Sequence, residues 1–260
     1  MKIKLGVAVG FDKLNEVVKA GYDYIEPALN SVANMSEGEF KEACKLIDAS
    51  SIKAEVFNCF FPWNIKIVGE DFDLQAITKY VEVAIERAAR LGAKICVVGS
   101  GSARRAPEGF SHDTAKEQLA LVLKTCGEIA ARYGITLVIE PLNPAETNII
   151  NTVSEAISLC EKINMPSVKC LVDFYHVAKA NDTLSSVCTS KGYLKHVHIA
   201  GAVNRTMVEM GENIPLLIEW KNALEACDYN GRISIEGKFD SDFFSDISKA
   251  RELLNNIFGQ

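Results

Sequence analysis

The sequence predicts an α/β fold, a single (β/α)8 TIM barrel over residues 1–260, and three observations predict it. Short apolar runs rich in β-branched residues alternate eight times with segments of helical apolar spacing. Helices close on a turn residue just before the next run, as at Ala20-Gly21, Leu91-Gly92, Tyr133-Gly134 and Asn230-Gly231. Four runs end on a carboxylate or a histidine: LVIE, VKCLVD, HVH and RISIE. A charge at the end of an apolar strand must shift its pKa, find a partner or bind a metal. Alternating units imply a parallel sheet with right-handed crossovers, and eight of them can close into a barrel. An open doubly wound sheet competes, but the GxGxxG turn it would carry is missing after the first run.

The elements follow in order. Ile3 to Val9 is the first strand, and Phe11 to Ala20 places Leu14, Val17 and Val18 at helical spacing before Gly21. Tyr22 to Glu26 pairs with a helix over Gly38 to Ala49, and Ile52 to Phe57 with the long helix Asp71 to Leu91. Ala93 to Val98 precedes Asp113 to Tyr133, and Ile135 to Glu140 precedes Thr152 to Ile163. Val168 to Asp173 leads to a shorter helix around Val177 to Asn181. Tyr193 to Ile199 runs through a long loop to Ile218 to Cys227, and Ile233 to Glu236 precedes Ser241 to Phe258.

With 48% hydrophobic and 24% charged residues, the chain has ordinary globular composition and enough length for a large core. Its net charge of −6 repels nucleic acid and gives no attraction to anionic membranes, so a small-molecule partner is expected instead. No apolar stretch reaches the roughly 18 residues of a membrane span. The start, MKIKLGVAVGFDKL, has too short an apolar run and too early a charge for a signal peptide, so a cytoplasmic location is expected. The eight cysteines are scattered without a CxxC and read as reduced core thiols.

In a barrel of this kind the active site lies at the C-terminal ends of the strands, where Glu140, Asp173, His198 and Glu236 fall. Neighbouring strands are about 4.7 Å apart, so these side chains can converge on one ion. Two Glu, one Asp and one His form an oxygen-rich set suited to one divalent metal, Mn²⁺ first, with Mg²⁺, Co²⁺ and Zn²⁺ as further choices. Such an ion would leave two positions for vicinal sugar oxygens.

These residues carry a family resemblance. GSGSARRAPEGF, EPLNPAET, DFYH and HVH resemble loops and strands of the xylose isomerase-like barrel superfamily of sugar epimerases and isomerases, and within it the D-tagatose/D-psicose (ketose) 3-epimerases. The resemblance runs from Gly99 onward, and Glu219-Trp220 stands where many relatives carry Asp-Trp. It implies proton transfer at C3 of a ketose through a cis-enediolate, with Glu140 and Glu236 as acid and base and Glu140, Asp173, His198 and Glu236 as metal ligands. It also implies substrate contacts at Glu146, His176 and Arg205, and is compatible with a homo-oligomer, dimer or tetramer.

Further positions each admit two readings. Glu26 ends YIEP as Glu140 ends its own strand, and is expected to accept a substrate hydroxyl, against a salt bridge at the rim. Trp63, with Cys59 and Phe60, follows the third strand and is expected to wall the sugar, against packing of the loop. His196 reads as a satisfied core or supporting histidine and His112 as a solvated neighbour of a helix cap. Arg104 and Arg105 sit in a Gly/Ser-rich loop, where they read as surface charges or as holders of a substrate phosphate.

Competing functions on the same site are a hydroxypyruvate isomerase, an inosose isomerase or dehydratase, and a non-catalytic sugar-binding relative. An endonuclease IV-like repair enzyme shares the pattern of Glu, Asp-x-x-His, His and Glu. It needs further histidines for a trinuclear zinc cluster, and this chain has four in all, with an acidic balance unsuited to DNA.

Overall fold

Nine parallel strands form one sheet in the computed structural model, which describes residues 3–239 and 242–259. They are β1 (Lys4–Val7), β2 (Tyr24–Ile25), β3 (Lys53–Ala54), β4 (Val56–Phe57), β5 (Ile95–Val98), β6 (Thr136–Ile139), β7 (Val168–Asp173), β8 (Leu194–Ile199) and β9 (Arg232–Ile235). Their order is β3-β2-β1-β9-β8-β7-β6-β5-β4, so the two ends of the sheet are consecutive in the chain. Only Glu55 separates β3, paired with β2, from β4, paired with β5. The chain therefore closes the ring by itself, and the fold is a TIM barrel.

The break at Glu55 differs from the single run expected over Ile52 to Phe57. The Glu55 carbonyl accepts from the N–H groups of Lys94 (2.8 Å) and Ile95 (3.1 Å). Its carboxylate binds Lys4 Nζ and Arg232 Nε, both at 2.7 Å. Tertiary partners thus hold the residue that interrupts the ladder.

The outer helices begin and end where local chemistry allows. Ser36 and Glu39, and likewise Thr152 and Glu155, form capping boxes for helices Glu37–Ala49 and Val153–Ile163. Asp73 caps Leu74–Leu91, which ends at Gly92 with φ 104°. The long loop expected after the seventh barrel strand contains the helix Met207–Glu212, and the helix expected over Ile218 to Cys227 runs instead over Ile214–Ala226, capped by Asn213 with Pro215 in its first turn. Short helices also occupy Leu29–Ala33, Gly101–Arg104 and Leu184–Cys188, and the one after β7 begins at once as Phe174–Lys179. The last helix is Phe243–Phe258; its expected start at Ser241 lies outside the described residues.

Two apolar clusters follow from the two periodicities. Tyr24, Val56, Ile95, Val97, Val138 and Leu171 pack inside the barrel, while a larger cluster fills the space between strands and helices. Tyr24 is fully buried, its hydroxyl 2.8 Å from Ser234 Oγ, and its ring occupies the space a side chain at Gly6 would need, 2.2 Å from a Cβ there. Gly6→Ala is therefore expected to cost about 1–3 kcal/mol by overpacking, read as a lower urea midpoint. All eight cysteines are free thiols, and among the described residues no helix is long and apolar enough to cross a membrane.

Candidate metal and sugar site

Strand parity places the site. Val138 and Leu171 point into the barrel, and Ser234 meets Tyr24 there. Two residues further along the same strands come Glu140, Asp173 and Glu236, while His196 and His198 share one face of β8. One ligand atom from each of Glu140, Asp173, His198 and Glu236 lies within 4.8 Å of every other. Gly99 makes room for this: a Cβ there would stand 2.2 Å from Glu140 Oε2.

His198 is the pivot. Its Nδ1 lies 3.1 Å from Glu140 Oε1 and 2.9 Å from Glu236 Oε2, and its Nε2 lies 2.8 Å from Glu26 Oε1. The other oxygen of Glu26 is 3.0 Å from His196 Nε2. Glu26 and both histidines are fully buried. Burial opposes the Glu26 charge, but the imidazoles of His198 and His196 outweigh it and hold the carboxyl well below the usual range. Burial likewise favours neutral His198, yet the carboxylates of Glu236 and Glu26 reverse this and raise its pKa. His196 goes the other way, its pKa lowered chiefly by burial.

The donor chemistry fits a divalent ion. A neutral imidazole has one N–H; spent by Nε2 on Glu26, it leaves the Nδ1 lone pair facing two carboxylate oxygens. That contact requires a cation at Nδ1, whether a second ring proton or a metal. The pocket also gathers the carboxylates of Glu26, Glu140, Asp173 and Glu236, and the guanidinium of Arg205 pairs with the last two. Glu26 then stands where a carboxylate supports a ligating histidine from behind.

The Arg205 guanidinium is drawn into the cluster. Its Nη2 lies 2.7 Å from Asp173 Oδ2 and 2.5 Å from Glu236 Oε2, and its Nε donates to the Glu236 carbonyl at 3.0 Å. Arg205 has φ 62° and lies over the Tyr175 ring, 4.7 Å from its centroid. Burial pulls Glu140 and Glu236 alike upward, but they diverge. Glu140 stays above the usual range, while His198 and Arg205 bring Glu236 down to about 2.

His176, 2% exposed, receives Asn143 Nδ2 at 2.9 Å on its Nδ1 and lies 3.6 Å from Asp173 Oδ2 through its Nε2. Asn143 Nδ2 also donates to Glu146 Oε1 at 3.0 Å, and Glu146 is half exposed. Trp63 stands apart, 76% exposed, while its neighbours Phe60 and Phe61 are buried. Glu26 is set behind His198 with both oxygens engaged, deeper than a contact at the rim. Trp220 stacks on Phe174 at 4.7 Å and buttresses the residue next to Asp173.

Two residues of the site, Asn58 and Asn143, were not singled out by sequence, and Arg104, read as a surface charge or a phosphate holder, takes a third place. Asn58 donates to Glu236 Oε1 at 3.0 Å and follows the same parity rule, two residues past Val56. Asn143 joins His176 to Glu146 within EPLNPAET. Arg104 is fully buried, not a surface charge, whereas Arg105 is exposed and donates to the Ala145 carbonyl at 2.7 Å. Beside the ligands a cleft of about 470 Å³ opens between the loops after β1, β2 and β4, lined by Phe11, Asp12, Glu26, Ser31, Met35 and Asn58 among others.

The sequence profile of the xylose isomerase-like TIM barrel family matches residues 14–257. The chain belongs to this family. Among relatives in the family's range, it is 28% identical over 167 residues to 3-dehydro-D-guloside 4-epimerase of Escherichia coli (strain K12), covering 62% of this chain and 63% of that protein. It is 27% identical over 222 residues to L-ribulose 3-epimerase of Methylomonas sp. (strain DH-1), covering 84% of this chain and 74% of that protein. The chain thus spans just under two thirds of the first relative and about three quarters of the second. Its fold superimposes on the crystal structure of a D-psicose 3-epimerase determined in the presence of D-fructose. There the TM-score is 0.85 at 19% identity, over 99% of this chain and 100% of the other.

Proposed function

We propose that this chain is a ketose 3-epimerase, an isomerase that inverts C3 of a sugar by proton transfer between two glutamates at a centre holding one divalent ion. The observation that carries the reading is the approach of Glu140 and Glu236 to one point, 3.1 and 2.9 Å from the same His198 nitrogen, from strands that two others separate. Glu140, Asp173, His198 and Glu236 would hold the ion, Mn²⁺ by preference, then Mg²⁺, Co²⁺ or Zn²⁺. When bound, it supplies Lewis acidity to the sugar's O2 and O3.

The remaining chemistry belongs to the side chains. One glutamate takes the C3 proton, and the electron pair left behind spreads onto O2 as an enediolate. The opposing glutamate returns a proton to the other face, which inverts the carbon; return from the same face regenerates the substrate. Arg205 and His176, anchored on Asp173, and Glu146, anchored by Asn143, orient O1 and O2. Glu26 fixes the ring plane of His198.

The test is incubation of metal-loaded protein with fructose, psicose, tagatose and sorbose in D₂O. Deuterium is expected at C3 of at least one ketose. Label at C1 or C2 of another substrate moves the assignment to an isomerase of the hydroxypyruvate or inosose type, and label at C4 of a 3-dehydro glycoside to the reaction named for the E. coli relative. No exchange on any of them sinks the catalytic reading.

A further inference from the structure

Arg104 has no role in the chemistry above, yet it is the largest of the fully buried side chains. Among the described residues its guanidinium donates to carbonyl oxygens only. Nη2 donates to the carbonyl of Glu140 at 2.7 Å and to that of Ile150 at 3.2 Å, and Nη1 donates to that of Val98 at 3.3 Å. Its Nε has no hydrogen-bond partner among the described residues. Burial penalises this charge, and the carboxylates of Glu140, Glu146 and Glu155, none of them hydrogen-bonded to it, offset the penalty only in part.

What the cation holds is one loop by both of its ends. Glu140 opens the segment that carries Asn143 and Glu146, and Ile150 closes it; the same nitrogen bonds both carbonyls. Ile150 is buried and β-branched, yet it has φ 59°, a left-handed conformation that such a residue avoids and that persists only where its surroundings enforce it. The Leu142 N–H, at 3.3 Å, shares the Ile150 carbonyl with Arg104. The helix that bears Arg104 lies close against the loop, since a Cβ on Gly101 would come within 2.8 Å of the Glu146 carbonyl.

We infer that Arg104 is a positioning residue: its guanidinium clamps the ends of loop 140–150, so that Glu140, Asn143 and Glu146 are presented together. The clamp is read from the hydrogen bonds; its benefit to catalysis rests on the function proposed for Glu140 and Glu146. Lysine at this position keeps the charge but gathers its donors on one nitrogen, without the planar fork that holds the Val98 carbonyl together with those of Glu140 and Ile150. Methionine keeps the approximate volume and removes every donor.

The test compares wild type, Arg104→Met and Arg104→Lys by hydrogen exchange of peptides covering residues 141–150 and by kinetics of C3 deuterium exchange with Mn²⁺. Folding is checked by circular dichroism. In folded Arg104→Met the loop amides are expected to exchange at least about tenfold faster while β7 to β9 keep wild-type protection. Its kcat should fall about 100-fold, as for a misplaced catalytic group, and Arg104→Lys should lie between it and wild type in both readouts.

A role limited to stability would instead lower the melting temperature and loosen the whole barrel, leaving kcat of the folded enzyme unchanged; that result overturns the proposal. Unchanged loop exchange in a folded variant overturns it as well. Should Arg104→Met not fold, Arg104→Lys decides by the same two criteria. If wild type exchanges no ketose C3, the functional proposal fails separately, and loop exchange alone still confirms or overturns the clamp.

Discussion

Glu236→Gln is expected to leave a folded protein that has lost the proposed exchange of the C3 proton. The expected loss in kcat is about 10²–10⁴-fold, the usual worth of a general acid or base. The fold should survive because Gln keeps the volume and an oxygen for Asn58, while Arg205 retains Asp173. Removing the charge also relieves the repulsion between Glu236 and Glu140. Circular dichroism and the melting temperature check the fold, and deuterium incorporation checks the chemistry. Turnover at the wild-type rate would mean that the two-glutamate scheme is wrong.

The second large effect lies behind His198. Glu26→Leu strips the acceptor from His196 and His198 together, two fully buried imidazoles that share it at 3.0 and 2.8 Å. Breaking a buried pair from one side costs about 3–5 kcal/mol, so the urea midpoint should fall accordingly. Mn²⁺ affinity, measured by titration calorimetry, should drop about 10–100-fold, because His198 loses the group that fixes its tautomer and ring plane. Glu26→Gln, which preserves shape and one acceptor, should recover most of the stability. Unchanged affinity in the folded Leu variant would refute an orienting role for Glu26.

How far the sequence could be read depended on the range of the physics involved. Glu140, Asp173, His198 and Glu236 were legible because the two-residue period of a strand turns an apolar run into a statement about which end residue faces inward. Arg205 was placed by resemblance, and its actual seat between Asp173 and Glu236 depends on a left-handed backbone that nothing nearby announces. The break at Glu55 was hidden because Ile52 to Phe57 is a continuous strand signal, and the partners that hold the break, Lys4 and Arg232, lie at opposite ends of the sequence. Gly101–Arg104 and Met207–Glu212 are too short to show a helical period. Arg104 was misleading for a related reason: a Gly/Ser-rich context suggests solvent, and only the folded chain brings three carbonyls to it.

The seam at Glu55 divides the barrel mechanically. The ladders joining β5 to β6, β7 to β8, β8 to β9 and β9 to β1 run for four residue pairs each, and that joining β6 to β7 for three. Those joining β1 to β2, β2 to β3 and β4 to β5 have two each. One arc of the ring is therefore tied by longer ladders than the other, and Glu140, Asp173, His198 and Glu236 stand at the ends of its strands. The cleft lined by Phe11, Asp12, Ser31 and Met35 opens over the loops that follow β1 and β2, which share one of the short ladders. A sugar seated as proposed would have its reacting carbon over the long ladders and its far end over a short one, much as work is held between a fixed jaw and a lighter one.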